Sequence, residues 1–177
     1  FFQQVGQEVR FLDYEEGNNV ALVPDLAEPL APSWIKTVRD KPYVYDHAKV
    51  GLTKDPYEIH YGPHDLEVHE YSLNKTRYGL ALAAGFRFTV LPHPGPGGLD
   101  DGIETAKQLL NRSVFDAERC ANGLNALRSY RRVRDEKHFT YRNMPLEDWA
   151  ANGAAAYRYA AVGLQGAMPL RAPQVPP

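Results

Sequence analysis

Alternation of apolar and polar positions predicts the strands of this chain. Residues 5–16 alternate around a glycine and predict one strand. One face of that strand would carry Val9, Phe11 and Asp13, and the other Arg10, Leu12 and Tyr14. Two shorter runs, 57–61 and 86–91, contain the β-branched and aromatic residues that favour strands, and they end at turn-forming residues. We therefore expect at least three strands.

Apolar residues at helical spacing predict helices between these strands. The predicted helices cover residues 33–39, 76–84, 100–111, 117–132 and 146–164. Ser33 would cap the first, Gly85 would end the second, and Pro145 would open the last. The predicted buried faces of the last three are Ile103, Lys107 and Leu110, then Cys120, Leu124 and Leu127, then Trp149, Ala156, Ala160 and Leu164.

Alternating strands and helices indicate an α/β fold. Three prolines and three glycines interrupt residues 92–98 and predict a loop. We expect one domain over residues 1–164 and a proline-rich tail, disordered or draped over the surface, at residues 165–177.

Composition narrows the possible functions. The chain has 177 residues, 44% of them apolar, which is enough for a hydrophobic core. Its net charge of −2 gives no general attraction to nucleic acid, so DNA contacts would need a local basic patch. Cys120 is the single cysteine, which excludes an internal disulfide and predicts a small buried residue. No run suits a membrane span and the N-terminal residues lack the basic region of a signal peptide, so we expect a soluble, cytoplasmic protein. No Walker motif is present, so we expect no P-loop phosphate site.

A turn follows the strand predicted at 57–61. Pro63 ends that strand and is followed by His64 and Asp65, at the position where α/β folds carry catalytic acids. Asp65 is either a metal ligand or an aspartate that caps the turn. His64 either orients Asp65 or is simply a turn residue. His60, His64 and His69 do not have metal-site spacing, because Pro63 prevents a helix there.

Six motifs occur in a fixed order along the chain. They are Phe1-Phe2-Gln3, Leu12-Asp13-Tyr14-Glu15, Gly62-Pro63-His64-Asp65, Asp101-Gly102-Ile103, Phe115-Asp116 through Tyr130-Arg131, and Asp148-Trp149 through Arg158-Tyr159. In this order and spacing the chain resembles the C-terminal nuclease domain of a phage terminase large subunit, over residues 1 to about 159.

The resemblance implies an RNase H-like fold, with a mixed sheet flanked by helices. It also implies two Mg²⁺ or Mn²⁺ ions held by three carboxylates, on the first strand, at the Pro-His-Asp turn and on the last helix. The family's first strand has no counterpart in this sequence. Asp65 matches the second carboxylate, whereas Ala155 stands at the position of the third and Asn152 at that of a histidine. Such losses suggest a decayed prophage copy or an altered sequence.

Other residues are candidates for supporting roles. Asp13 and Asp101 are the candidates to assist Asp65 in holding a metal. Arg128, Arg131 and Arg132, at i, i+3 and i+4 on the predicted helix 117–132, would form a track for weak, non-specific contact with double-stranded DNA. The alternative for these arginines is an ordinary solvated helix face.

The resemblance thus leads to two main hypotheses. The first is a terminase nuclease-like domain, a metal-dependent DNA endonuclease of viral DNA packaging, with impaired catalysis in this chain. The second is a non-enzymatic prophage remnant, a DNA- or portal-binding module of the same fold. A resolvase-type nuclease would need an acidic set that this sequence lacks. The family's partners are the portal and the small terminase subunit, in the cytoplasm of a bacterial host.

Overall fold

The computed structural model describes residues 1–16, 60–70, 75–83 and 88–167. These residues form a mixed α/β structure with four α-helices and several small sheets of parallel and antiparallel strands. The chain forms two compact units, each considered by itself. Unit 1 comprises Phe1–Glu15 and Pro94–Pro177, and unit 2 comprises Glu16–His93. The α/β class is confirmed in this coarse form, whereas the RNase H-like arrangement stays a prediction.

The strands are short. They are β1 (Phe2–Val5), β2 (Glu8–Phe11), β3 (His60–Gly62), β4 (His69–Glu70), β5 (Lys75–Thr76), β6 (Phe88–Val90), β7 (Ser113–Phe115), β8 (Arg132–Asp135) and β9 (Thr140–Pro145). The helices are α1 (Arg77–Ala83), α2 (Gly98–Leu110), α3 (Ala121–Ser129) and α4 (Trp149–Ala167), and His64–Glu67 forms a 3₁₀ turn. The predicted helix 33–39 and residues 57–59 of the predicted strand lie outside the described residues.

The sheet of unit 1 has the strand order β1-β2-β7. β1 and β2 form an antiparallel hairpin, whereas the sequence predicted one strand over 5–16. The difference arises at Gly6, whose φ of +61° turns the chain. The predicted faces are confirmed: Val9, Phe11 and Asp13 are buried and Arg10 is exposed. β7 pairs with β2 in parallel.

Helices α2, α3 and α4 cover this sheet. The core contains Val9, Phe11, Leu109, Cys120, Tyr157, Ala160, Ala161 and Leu164. The Phe11 and Phe115 rings stack at 4.8 Å, and the Tyr157 ring lies 5.1 Å from Phe11. The Tyr157 hydroxyl and the Ser113 hydroxyl are hydrogen-bonded at 2.8 Å, so this polar group is satisfied inside the core. Burial raises the pKa of Tyr157.

Several predicted buried faces were wrong by one or two positions. In α2 the buried residues are Gly102 and Leu109, while Lys107 and Leu110 are exposed. In α4 the predicted Ala160 and Leu164 are buried, together with Ala150, Gly153, Ala154 and Tyr157, while the predicted Trp149 and Ala156 are exposed. Glycine and alanine line these faces because the helices pack closely, and a pattern judged by large apolar residues misses them.

Two helix boundaries also differ from the prediction. Pro145 ends β9 and does not open the last helix, which begins at Trp149 and extends to Ala167. The helix therefore continues past the predicted start of the tail at 165. The helix predicted over 117–132 is α3, Ala121–Ser129, preceded by a turn that contains the buried Cys120.

Unit 2 contains two small two-stranded sheets and α1. β3 and β6 are parallel, with His60 opposite Phe88, and β4 and β5 are antiparallel. Leu80 and Ala81 of α1 are buried. After β6, residues 91–95 have no regular structure, and Gly95 and Gly97 have φ of +68° and +79°, so the predicted loop is confirmed.

Candidate functional site

The Pro-His-Asp turn lies at the carboxyl end of the parallel β3–β6 pair. The Leu91 amide donates to the Gly62 carbonyl at 2.8 Å, and extends the ladder to the end of β3. Pro63 then adopts an extended conformation and its carbonyl accepts from the Leu66 amide at 3.1 Å. The turn that follows presents His64 and Asp65. Asp65 thus lies three residues after the end of β3, in the turn where the sequence predicted it.

The Asp65 side chain is 53% exposed. A guanidinium nitrogen of Arg77, the first residue of α1, lies 4.0 Å from its carboxylate. This distance is at the limit of an ion pair, and exposed pairs of this kind contribute little to stability. The Asp65 carboxylate is therefore accessible to ligands and lies close to a positive charge.

His64 contacts another histidine. Its ring lies edge-on to the His93 ring, with 4.4 Å between the centroids. Its Nδ1 atom is buried and has no hydrogen-bond partner among the described residues. The sequence analysis did not predict this contact, because His93 lies 29 residues further along the chain. His60 instead packs on Phe88, with 5.5 Å between rings, and His69 lies in β4 opposite Thr76.

The predicted carboxylates are distributed over both units. Asp65 belongs to unit 2, whereas Asp13, Asp101 and Ala155 belong to unit 1. The proposed assistance of Asp13 and Asp101 to Asp65, and the convergence of Asp65 with Ala155, therefore stay predictions. Within the described ranges, no three His, Cys, Asp or Glu side chains form a group that would hold a metal ion.

Asp13 is buried, with 6% of its surface exposed. It follows β2, and its Oδ1 accepts from the Tyr14 amide at 2.8 Å. Its carbonyl accepts from the amino group of Phe1 at 2.9 Å. A buried carboxylate that caps the backbone has a structural role that the strand pattern alone did not indicate.

A second carboxylate follows the neighbouring parallel strand. Asp116 comes directly after β7, and its amide donates to the Phe11 carbonyl at 2.9 Å. Its Oδ1 accepts from the Glu118 and Arg119 amides at 3.1 and 2.9 Å. The sequence analysis named Asp116 only as part of a motif. Its position at the end of a strand was a usable signal, because the carboxyl ends of parallel strands meet at one edge of a sheet.

Cys120 lies in the turn that precedes α3 and is 3% exposed. Burial is the main cause that raises the pKa of its thiol, and the carboxylates of Asp13 and Asp116 raise it further. The Phe1 amino group acts in the opposite direction. The thiol lies 3.5 Å from the Phe11 carbonyl. The prediction of a small buried residue is confirmed.

The two positions that depart from the terminase pattern lie on α4. Asn152 is exposed and Ala155 is half-buried. Gly153 lies between them, and a Cβ at this glycine would be 2.9 Å from the Tyr14 hydroxyl. Because Tyr14 directly follows Asp13, this turn of α4 lies beside the end of β2.

Asp101 is an exposed residue in the first turn of α2. Its amide donates to the Gly97 carbonyl at 3.2 Å, and its carbonyl accepts from the Thr105 hydroxyl at 2.9 Å. The neighbouring Asp100 accepts from the Asn143 side chain at 3.2 Å. Both aspartates have the favourable charge for a helix N-terminus.

The arginine track predicted on a helix was wrong. α3 ends at Ser129 and Tyr130 is extended, so Arg128 is helical, Arg131 lies in the connection and Arg132 begins β8. The reason is the alternating run from Arg132 to Asp135, which pairs with β9 as a hairpin. Arg131 forms an ion pair with Asp148 at 3.1 Å. The three arginines therefore do not form a helical stripe.

The arginines belong instead to a basic segment around this hairpin. Residues 128–145 contain six Lys or Arg and two Asp or Glu, in a chain whose net charge is −2. We call Arg132–Pro145 the basic hairpin. Its cationic residues are Arg132, Arg134, Lys137 and Arg142. Alternation is limited to Arg132–Arg134 and Phe139–Arg142, which is too short to identify this hairpin from the sequence alone.

Asp135 organises the turn of the basic hairpin. Its Oδ1 accepts from the Lys137 and His138 amides at 3.0 and 3.3 Å. The His138 ring lies 3.3 Å and the Arg142 guanidinium 3.7 Å from its carboxylate. The hydrogen bond from the His138 side chain is the main cause that lowers the pKa of Asp135. The turn is thus held by an ionised carboxylate.

Comparison of the chain with family models, curated protein sequences and solved structures gave no match. Among the helices that the structure describes, none has both the length and the apolar character needed to cross a bilayer.

Proposed function

We propose that this chain is a nuclease-like domain of the phage terminase large subunit type that binds double-stranded DNA weakly and cleaves it poorly. The proposal includes an RNase H-like fold and action in the cytoplasm of a bacterial host. Three features support it. They are the order of the six motifs, the position of Asp65 directly after β3, and the basic hairpin.

The proposal that the chain binds DNA depends mainly on the basic hairpin. Arg132, Arg134 and Arg142 are exposed on two paired strands, so their guanidiniums can reach adjacent phosphates. Such contacts depend on charge and not on base sequence, and they weaken steeply with salt. We expect a dissociation constant of about 10⁻⁴ to 10⁻⁶ M at physiological salt.

We expect impaired cleavage because two positions on α4 differ from the family pattern, which has a histidine and a carboxylate there. Ala155 and Asn152 provide no carboxylate or imidazole on α4, and Asp65 lies beside Arg77. Two-metal hydrolysis needs several carboxylates that converge on both ions. Without a carboxylate at residue 155, we expect Mg²⁺ or Mn²⁺ binding to be weak or absent.

Fluorescence anisotropy with a labelled duplex, measured over a salt series, tests the binding proposal. Arg132→Glu combined with Arg134→Glu should lower affinity at least about tenfold and reduce the salt slope by about two. The matched control reverses two exposed charges of unit 1 outside the hairpin, Arg10→Glu with Lys107→Glu. Equal losses in both double variants, or no loss in the hairpin variant, would contradict the proposed surface.

Supercoiled plasmid with Mn²⁺ tests the catalytic part. The unmodified chain and Asp65→Ala should both leave the plasmid intact. Asn152→His combined with Ala155→Asp should recover nicking only when the family's acidic first strand is also supplied. Nicking by the unmodified chain that disappears in Asp65→Ala would show that the site is active.

A non-enzymatic module that binds DNA or the portal is the second candidate. The exposed Asn152 and half-buried Ala155 favour it, because neither position carries the carboxylate or imidazole that the family has on this turn of the helix. This candidate predicts the same hairpin-dependent DNA binding. It differs in that restoring residues 152 and 155, even with the acidic first strand supplied, would not recover cleavage. Binding to a portal or a small terminase subunit would be tested by co-purification.

A further inference from the structure

The basic hairpin exposes large apolar side chains as well as charges. Phe139 is 77% exposed, Tyr141 67% and Met144 51%. Phe139 and Tyr141 have no extensive packing to explain them, since most of each side chain faces solvent. Aromatic residues on a basic surface are typical of proteins that stack on unpaired bases.

Phe139 also has an unfavourable backbone conformation. Its φ is +52°, the left-handed region that glycine and asparagine adopt more easily than a bulky aromatic residue. An exposed phenylalanine at this position contributes neither burial nor a relaxed turn. This combination points to a role for its ring outside the folding of the hairpin.

Charged and aromatic residues are adjacent across the strands. Arg134 pairs with Tyr141, so their side chains lie on the same face of the hairpin. Asp135, with Arg142 close to it, occupies the opposite face. One face therefore presents a cation directly beside an exposed ring, as a nucleotide with one phosphate and one base requires.

We propose that the basic hairpin binds unpaired bases of single-stranded or locally opened DNA. Phe139 and Tyr141 stack on the bases, and Arg132 and Arg134 contact the phosphates. The inference rests on the DNA-binding surface of the proposed function and adds the strandedness of its substrate. Base stacking tolerates any sequence, because every base offers a flat face.

The residues of the turn favour DNA over a membrane surface. Glu136, with its side chain 76% exposed, and Asp135 lie in or next to the turn that carries Phe139. Insertion of Phe139 into lipid would bring these carboxylates to the anionic headgroups and remove their water. Stacking on a base does not bury them, and a phosphate bound by Arg134 would replace Glu136, whose carboxylate lies 3.8 Å from that guanidinium.

The test measures the affinity of the full chain for a fluorescein-labelled oligothymidine, for an abasic oligomer of equal length and for a duplex. Phe139→Ala and Tyr141→Ala should each weaken oligothymidine binding by about 5- to 150-fold. Binding to the duplex and to the abasic oligomer should change less than about twofold, because neither offers an unpaired base.

Three variants at residue 139 separate stacking from folding and from general hydrophobicity. Phe139→Trp should keep oligothymidine affinity, whereas Phe139→Leu should lose it although the side chain remains large and apolar. Phe139→Asn should lose affinity while the hairpin becomes no less stable, because asparagine accepts the left-handed conformation. A loss of affinity caused by unfolding would not show this pattern.

The remaining outcomes distinguish failure of this inference from failure of the proposed function. Duplex binding that depends on the arginines, with oligothymidine binding unchanged in the alanine variants, would overturn the stacking inference alone. Absence of binding to any DNA would overturn both. Phe139-dependent binding to phosphatidylglycerol vesicles without oligothymidine binding would identify a membrane surface and also overturn the inference.

Discussion

Gly153 lies where α4 approaches α3 and Tyr14. A Cβ at this position would be 2.7 Å from the Ala126 Cβ and 2.9 Å from the Tyr14 hydroxyl oxygen. Ala126 is 1% exposed and has no free space into which to move. The Gly153→Ala substitution therefore has to separate the two helices or displace Tyr14.

The expected magnitude combines two opposing effects. Alanine stabilises a helix interior by about 1 kcal/mol relative to glycine. Overpacking costs about 1–3 kcal/mol, and the upper value applies because a methyl group cannot rotate away from a neighbour about 1 Å too close. Gly153→Ala should therefore lower the free energy of unfolding by about 2 kcal/mol.

Gly166 provides the matched control in the same helix. A Cβ there would meet nothing within 4 Å, so Gly166→Ala keeps only the gain in helix propensity, up to about 1 kcal/mol. Urea denaturation followed by circular dichroism measures both variants. Tyr14→Phe should restore part of the stability of Gly153→Ala, since it removes the contacting oxygen. Equal stability of the two alanine variants would refute the close-packing argument.

Three further predictions use other sites. Cys120 should not react with a thiol reagent at pH 8 in the folded protein but should react once urea unfolds it, because burial raises the pKa of its thiol; rapid native labelling would contradict this. Asp135 has a lowered pKa, so its contribution to the hairpin should be complete above about pH 4 and be lost as pH falls through the folded pKa. Amide NMR shifts of Lys137 measure that loss, and Asp135→Asn should remove the pH dependence. Asp148→Ala should cost about 1 kcal/mol in a urea titration, since its Oδ1 caps α4 at the Ala150 amide (3.0 Å); an unchanged midpoint would show that the cap is not needed.

Strand alternation predicted part of unit 1 correctly. The burial of Val9, Phe11 and Asp13 follows from a period of two, which needs no knowledge of the partner strand. The pairing of β2 with β7 did not follow, because about 100 residues separate them and nothing local specifies which strands meet. Gly6 was recognised as an interruption, but its positive φ decides between one strand and a hairpin.

The sequence predicted the presence of the helices more accurately than it predicted which of their residues are buried. Gly102, Gly123 and Gly153 all face neighbouring side chains closely, which only the packed helices reveal. The arginine track failed at Tyr130, where an extended residue ends α3. A run of arginines suits a helix or a strand equally, so the choice depended on the pairing of β8 with β9.

The sequence predicted the candidate site correctly only where neighbouring residues along the chain determine the local structure. Asp65 follows its strand as expected, because Pro63 ends the strand wherever the rest of the chain lies. The contact between His64 and His93 depends on the parallel pairing of β3 with β6. The aromatic and basic face of the hairpin depends on the register of Arg134 with Tyr141, which the sequence does not reveal directly.

The discontinuity of unit 1 affects how the chain emerges from a ribosome. β1 and β2 are synthesised before the rest of unit 1, and β7, the parallel partner of β2, follows about 100 residues later. At about 5–20 residues per second, this interval lasts about 5–20 s. Until then Val9 and Phe11 lack the strand and helices that cover them. A nascent chain of this protein should therefore bind chaperones during that interval. A circular permutant that begins at residue 94 and continues from residue 167 into residue 1 should shorten the interval.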